Sequence, residues 1–363
     1  MFKKTHLKTL LGSVLIGSMA AVSTPAMATN EAMLDLLKIL RDKGSISAEE
    51  YDLLRNASQA DKEKVEGTAN EVKAEVKKAT KSLPKINTKG KLEFKDKDGN
   101  KIRVGGRLMA DTTVGLGDVN FEGSEGGNPV TEFRRARMYL SGVWAKAWKF
   151  KFQYDFAGQG AAANTTGIRD AYIAYTGFKP TTITFGHHKT PLSLEENTSS
   201  KYITFIERSQ LVNGIVVDTS GGRKYALSAK SHFNNMITVG GAAYVGTANE
   251  DTSEGAGHGF VGRLTFSPLH EKTRMVHLGV GVVYDERSDG GYNIDGEPEV
   301  HPGSDILETE TGDWESATTW VAEAAAIHGP WAIQAEYAST SLEDGNTTAD
   351  ADADAWYVYG SYY

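Results

Sequence analysis

The sequence has no cysteine, and it has no long apolar run beyond its N-terminus. Without cysteine, disulfides, thiolate metal sites and cysteine nucleophiles are all excluded. No later window approaches the roughly 18 apolar residues that a spanning helix needs, which excludes a helical membrane protein. A membrane β-barrel is compatible with this absence, because its strands direct only about half of their residues towards lipid.

Basic residues are fewer than acidic residues in the whole chain. The formal net charge is −8, which disfavours a general nucleic-acid binder. From residue 276 onward the chain has 18 acidic residues and one basic residue, and most of the acids lie in the predicted loops 285–315 and 343–354. The GxSxG, Walker and HExxH patterns of common enzyme sites do not occur.

The N-terminus carries an export signal. MFKK is a positive n-region, LLGSVLIGSMAAV is an apolar h-region, and Ala26-Met27-Ala28 has the A-x-A form of a cleavage site. A short anchor helix is the alternative, but glycine and serine interrupt the run. We therefore expect residues 1–28 to be a signal peptide.

Residues 29–86 are predicted to form a helical segment in the periplasm. Gly44 ends a first helix, and Ser47 with Glu50 makes a capping box that opens a second one. From Val65 to Leu83, Val and Ala recur at spacings of four and three, which is the period of a coiled-coil seam. Two interpretations stay open: an oligomerisation stalk, or a solvated spacer.

From about residue 88 the hydrophobic period changes to two, and residues 88–363 are predicted to form a β-barrel. The connections alternate between short and long, as in up-and-down outer-membrane barrels, where short turns lie on the periplasmic side. The predicted fold class is therefore an antiparallel, transmembrane, all-β barrel. Twelve strands are predicted, at 101–115, 132–145, 148–157, 168–176, 181–188, 222–233, 237–247, 259–267, 275–285, 316–327, 331–339 and 355–363.

The strand at residues 148–157 indicates which face meets lipid. Trp148, Phe150, Phe152, Tyr154 and Phe156 share one face, whereas lysine, glutamine and aspartate share the other. Five successive rings would overfill the core of a β-sandwich, but they suit a lipid-facing surface. We expect the charged face to line the lumen.

The same alternation predicts a lumen that is richer in cations than in acids. The predicted inward acids are Asp111, Asp155, Asp170, Glu323 and Glu336. The predicted inward cations, which would form an anion pathway, are Arg103, Arg107, Arg135, Arg137, Lys149, Lys151, Lys224, Lys230 and Arg263. Rings of Arg or Lys are typical of anion and phosphate pores.

Two stretches, FRRARMYLSGVWAKAWKFKFQYDFA and DAYIAYTGFKPTTITFGHHKTPLSLEENTSSKYITFIERS, resemble the phosphate-selective porin O and P family. The segment LLKILRDKGSISAEEYDLL resembles the part that often follows the family's signal peptide. The resemblance implies a homotrimeric barrel of 16 strands in outer-membrane lipid and lipopolysaccharide, passing phosphate or polyphosphate, with no cofactor.

The resemblance also implies a constriction loop that folds inward. By position this loop is residues 189–220, with Lys189, Lys201 and Arg208 as its cations, and the family's arginine run falls on Arg134, Arg135 and Arg137. Family members continue for further strands, so a chain that lacks C-terminal strands is expected, and a complete twelve-strand barrel is the alternative. The acidic late loops make phosphate specificity less secure than the pore.

Three other functions stay open. One is a general, weakly selective porin, and another is a structural or adhesive barrel with a plugged lumen. The third is a barrel hydrolase, for which His188 and His232 are the inward histidines, although no serine is obviously paired with either. His187 and His188 are expected to be surface residues on opposite faces of one strand, which disfavours a shared metal.

Overall fold

The computed structural model describes residues 24–80, 85–87, 92–114, 130–157, 167–217, 222–246, 257–287, 292, 294–296, 299–301, 307–308, 314–344 and 350–363. The chain divides into two compact units, Met1–Leu83 and Pro84–Tyr363. Within the described part of the chain, no helix has both the length and the apolar character needed to cross a membrane. Residues 1–23, which hold most of the predicted signal peptide, lie outside the described residues.

The first unit consists of two helices, α1 (Thr24–Asp42) and α2 (Ala48–Thr80). Gly44 follows α1 with a positive φ of 68°, a conformation that glycine adopts easily. The predicted capping box is present, because Glu50 N donates to Ser47 Oγ at 3.2 Å and Ser47 N donates to Glu50 Oε2 at 2.9 Å. The coiled-coil seam of α2 stays a prediction.

The second unit contains one antiparallel sheet in which fourteen strands follow each other in chain order. A separate pair of two-residue strands, β12 (Asp295–Gly296) and β13 (Leu307–Glu308), lies between β11 and β14. The strands of the main sheet are β1 (Lys85–Asn87), β2 (Leu92–Lys95), β3 (Lys101–Thr113), β4 (Val130–Trp144), β5 (Trp148–Asp155), β6 (Gly167–Tyr175), β7 (Thr181–Lys189), β8 (Arg223–Phe233), β9 (Ile237–Val245), β10 (His258–His270), β11 (Arg274–Glu286), β14 (Trp314–His328), β15 (Trp331–Asp344) and β16 (Ala351–Tyr362).

Each of the twelve predicted strands corresponds to one of these strands, from β3 onward. The sequence analysis missed β1 and β2, which pair with each other and extend the sheet beyond β3. These two strands have only three and four residues, too few for a period of two to stand out. Short turns join β4 to β5, β6 to β7, β8 to β9, β10 to β11 and β14 to β15, as the alternation of connections predicts.

One face of the sheet exposes apolar side chains, as predicted. Phe152 is 46% exposed, whereas its neighbour Gln153 is 8% exposed. The same contrast separates exposed Tyr337 from Glu336, which is only 2% exposed. In an outer-membrane barrel the apolar band faces lipid and the alternate residues face the interior.

The sheet curves around the segment that joins β7 to β8, which we name the inner segment (residues 190–217). In a flat sheet, β4 and β15 would lie about 43 Å apart, at nine spacings of about 4.8 Å. The inner segment nevertheless contacts both strands. Glu195 N donates to Glu336 of β15 at 2.9 Å, and Glu207 pairs with Arg134 and Arg135 of β4. Because Arg208 Nε donates to Glu195 O at 3.1 Å, these two attachments are close together.

Part of the interior is an apolar core, which the sequence analysis did not predict. A π-helical turn of the inner segment, Leu211–Val216, contacts β12, β15 and β16, and its buried residues belong to an apolar cluster with inward residues of β8 to β11, β14 and β15. Val283, Val321 and Leu342 are at most 2% exposed in this cluster. On this side the inner segment covers the inward positions, which are apolar. The cations lie mainly on the side formed by β3 to β8.

Candidate functional site

The inner segment is attached to β15 through one buried carboxylate. Glu336 accepts hydrogen bonds from Leu194 N at 2.8 Å, Glu195 N at 2.9 Å and Tyr357 Oη at 2.6 Å. The two amides belong to the first turn of α3 (Leu194–Asn197), where unpaired N–H groups attract negative charge. Glu195 in turn accepts from Ser209 N and Ser209 Oγ, which ties the two ends of the inner segment together.

On the opposite wall, two adjacent arginines hold the inner segment. Glu207 Oε1 accepts from Arg134 Nε at 2.6 Å, and Glu207 Oε2 accepts from Arg135 Nη2 at 2.9 Å. Consecutive residues of a regular strand point to opposite faces, but the pairing of β3 with β4 shifts here. Opposite the stretch of β3 between Met109 and Asp111, β4 contains one extra residue. Such a β-bulge turns both arginines towards the same carboxylate.

A second bulge has the same effect in β6. The pairing advances from Gln153–Asp170 to Tyr154–Ile168, so Arg169 is the extra residue. Arg169 Nε lies 3.5 Å from Asp155 Oδ2, although simple alternation places Arg169 on the lipid face. Sequence reasoning missed it because no feature of the sequence signals the bulge.

Two aspartates at the ends of β5 and β6 hold most of the remaining cations on this wall. Asp155 pairs with Arg137 at 2.5 Å. Asp170 pairs with Lys151 at 2.5 Å and with Arg223 at 2.9 Å. Arg223, the first residue of β8, was also missed by the sequence analysis, which favoured its neighbour Lys224.

Together these residues form what we name the arginine cluster. Arg107 interacts electrostatically with Arg135, Arg208 and Arg223, which links β3 to β4, β8 and the inner segment. Arg169 interacts in the same way with Arg134, Arg135 and Arg223. The cluster consists of Arg107, Arg134, Arg135, Arg137, Arg169, Arg208 and Arg223.

Cations exceed carboxylates within this cluster. With Lys151 and Lys189, the described residues place nine cations around the five carboxylates of Asp155, Asp170, Glu195, Glu196 and Glu207. Arg107 Nη2 donates to Ser200 Oγ at 2.7 Å, whereas its buried Nε has no hydrogen-bond partner in the described part of the chain. An unpaired donor in a positive environment attracts an anion.

The other predicted lumen cations lie outside the cluster. Arg103 pairs with Glu93 of β2 at 2.8 Å, and Lys149 is exposed near the start of β5. Lys224 is buried, with its Nζ 5.6 Å from the centre of the Tyr244 ring. Lys230 and Arg263 lie next to each other further along the sheet, where Arg263 pairs with Glu323 at 2.5 Å. The predicted lumen cations therefore do not form one site, because they lie in several places on the inner face with different neighbours.

The three cations of the predicted constriction loop differ in accessibility. Lys189 Nζ lies 2.7 Å from Glu196 Oε1, and Arg208 Nε lies 3.2 Å from Glu196 Oε2. These two charges are therefore engaged in holding the fold of the segment. Lys201 is exposed and makes no ion pair with any described residue. Their role in a constriction stays a prediction.

The carboxylates of the inner segment differ in pKa. Burial raises the pKa of Glu195, although its bonds from Ser209 oppose this. Burial also acts to raise the pKa of Glu207, but the attraction of Arg134 and Arg135 prevails and lowers it below the ordinary value. Glu207 is therefore an anion that the protein itself supplies to the arginine cluster.

The two adjacent histidines are not surface residues, which corrects the sequence analysis. His187 is 3% exposed and His188 is 7% exposed, because the rings of Tyr225 and Tyr172 lie against them. His188 Nε2 is 2.6 Å from Ser228 Oγ. The described residues hold no group of three or more side chains that could bind a metal ion.

Comparison with known proteins identifies the family of the chain. The family model of the phosphate-selective porins O and P matches residues 102–363. The chain belongs to this family. Porin O of Pseudomonas aeruginosa is 28% identical over 306 residues, which cover 76% of this chain and 67% of that protein.

Two solved structures are also similar. The trimer form of OmpT, an outer-membrane protein of Vibrio cholerae, is 14% identical with a TM-score of 0.48, over 72% of each chain. The outer-membrane channel DcaP of Acinetobacter baumannii is 16% identical with a TM-score of 0.47, over 74% of this chain and 76% of that one.

Membership in the porin O and P family defines the broad function. The chain is an outer-membrane porin with an antiparallel up-and-down β-barrel fold. A porin is a channel, so the family disfavours the barrel hydrolase that His188 and His232 suggested.

Proposed function

We propose that this porin allows passive diffusion of small anions, among them phosphate or polyphosphate, past the arginine cluster. The observation that carries this proposal is the excess of nine cations over five carboxylates at the level of the inner segment. An anion there exchanges part of its hydration for contacts with guanidinium groups. The carboxylates keep those contacts weak enough for exit, because they compete for the same donors.

The apolar core restricts the route. The apolar cluster that contains residues of Leu211–Val216 and inward residues of β8 to β11, β14 and β15 fills part of the interior. A solute that crosses the barrel is therefore directed to the side formed by β3 to β8, where the arginine cluster lies. Arg107 is the member best placed to contact it, since it is partly exposed and forms no ion pair with a described residue.

Ion selectivity tests the proposal directly. In a planar bilayer with a salt gradient, the reversal potential of the wild-type channel should show anion preference. Arg107→Gln should reduce that preference, because it removes a charge from the arginine cluster without breaking an ion pair that the structure describes. Arg103→Gln is the matched control, since it lies on the same strand but pairs with Glu93. A wild-type channel that prefers cations contradicts the proposal.

A general, weakly selective porin is the second candidate. It is favoured by the pairing of most cluster arginines with Asp155, Asp170, Glu196 and Glu207, which reduces their free charge. Equal block of chloride current by phosphate in the wild type and in Arg107→Gln would support this candidate.

The assembly and orientation are part of the same proposal. The start of β1 is on the side of the sheet that carries the short turns, and in outer-membrane barrels this side faces the periplasm. We place α1 and α2 in the periplasm on this basis. The family resemblance supports a homotrimer in contact with outer-membrane lipid and lipopolysaccharide, which sedimentation in detergent would measure.

A further inference from the structure

A polar cavity lies apart from the arginine cluster, on the inner face of β8 to β11. It has a volume of about 160 Å³ and is bounded on one side by Pro191, the second residue of the inner segment. Its polar lining comes from Lys230 of β8, Thr238 of β9, Arg263 and Thr265 of β10, and His277 of β11. Four consecutive strands therefore each contribute a hydrogen-bonding group to one small space.

The charges around this cavity are not balanced. Arg263 donates to Glu323 Oε1 through Nε at 3.1 Å and Nη2 at 2.5 Å, and His277 Nε2 lies 2.8 Å from the same oxygen. One carboxylate thus serves two partners and neutralises a single positive charge. Lys230 is exposed and forms no ion pair with a described residue, although it interacts electrostatically with Arg263. The cavity carries a net positive charge even when His277 is neutral.

The threonines add directed donors. Thr238 Oγ1 is bonded to His232 Nδ1 at 2.9 Å, whereas the Thr265 side chain has no hydrogen bond to another described residue. A hydroxyl that can donate, next to an ammonium and a guanidinium, matches a ligand with several acceptor oxygens. A halide ion has no such set of oxygens, and it would gain less from the hydroxyl.

We propose that this cavity is a second binding station for a small tetrahedral oxyanion, separate from the arginine cluster. Lys230 and Arg263 supply the charge, and Thr265 supplies a hydrogen bond that distinguishes an oxyanion from chloride. The station rests on the proposed anion conduction, because the oxyanion must enter the barrel to reach it.

Phosphate block of chloride current tests the station. The reconstituted full-length channel is titrated with inorganic phosphate, added to each side of the bilayer in turn, and the apparent dissociation constant is measured. Lys230→Gln should weaken block about tenfold, as expected for loss of one charge-assisted contact. The matched control is Lys149→Gln, which removes the same charge from another exposed position of the inner face, outside the cavity.

Thr265→Val tests the hydrogen bond without changing charge. It should weaken phosphate block several-fold. Heat-dependent migration on a gel verifies that each variant is folded. The station is refuted if Lys230→Gln and Lys149→Gln change the block equally, or if Thr265→Val has no effect on it.

These outcomes are separate from failure of the proposed function. If the wild-type channel prefers cations, anion conduction itself is wrong. If the wild type prefers anions and Arg107→Gln reduces that preference, but Lys230→Gln behaves like Lys149→Gln, only the second station is wrong.

Discussion

Replacement of Glu336 by glutamine should release the inner segment from β15. Glu336 is 2% exposed, and its carboxylate accepts three hydrogen bonds, two of them from the amides of Leu194 and Glu195. Glutamine keeps one oxygen but places an NH₂ group where the other oxygen was. At least one N–H donor of α3 would then face another donor.

The magnitude follows from these contacts. A hydrogen bond to a charged group contributes about 1.5–3 kcal/mol, and a buried donor left unpaired costs about 1–3 kcal/mol. The variant should therefore weaken this attachment by about 2–4 kcal/mol, which increases the detached population by roughly 30- to 1,000-fold. Glu207 would still hold the other end of the segment, so the change should be a partial opening.

Single-channel recording measures the effect. Glu336→Gln should show a larger mean conductance, more frequent transitions between conductance levels and weaker anion preference. Glu343→Gln is the control, because Glu343 lies on the same strand but is exposed and makes no contact with the inner segment that the structure describes. If a folded Glu336→Gln channel has the conductance, the noise and the selectivity of the wild type, the attachment does not hold the inner segment in place.

Two further predictions concern the lipid face and the second attachment. Phe152→Arg should destabilise the barrel by about 2–4 kcal/mol, because it places a charge in lipid near the middle of β5. Urea titration in lipid vesicles measures the free energy of unfolding. The control variant, Phe152→Leu, should leave this free energy nearly unchanged. An equal stability of both variants would contradict the assignment of this face. The pKa of Glu207 is lowered below its ordinary value of 4.5 by Arg134 and Arg135. The contact of Glu207 with these arginines therefore stabilises the folded protein at every pH above 4.5. This stabilisation is lost only as the pH falls through the lowered pKa. The part of the pH response of conductance that Glu207→Gln removes should then lie below about pH 4.5, whereas removal of a response near pH 6 by this variant would contradict this reasoning.

Periodicity in the sequence was sufficient to locate most of the barrel. The alternation of rings and charges around Phe152 and Gln153 predicted which residues are exposed, because a strand has only two faces and lipid accepts only one kind of side chain. The same reasoning failed for Arg134 and Arg169. Both lie at β-bulges, and a bulge depends on how two strands pair, which a single strand's pattern does not contain.

The sequence by itself determined the class of protein, which side chains of each strand point towards lipid, and most of the cations that point inward. These properties depend on the spacing of neighbouring residues. Only the tertiary structure decided which cations are neutralised and which are available to a solute. Glu207 reaches Arg134 across 73 positions of the chain, and Glu336 reaches Glu195 across 141. Such pairings arise where the inner segment folds back onto the sheet, and electrostatic attraction at about 3 Å acts between residues that no local pattern connects.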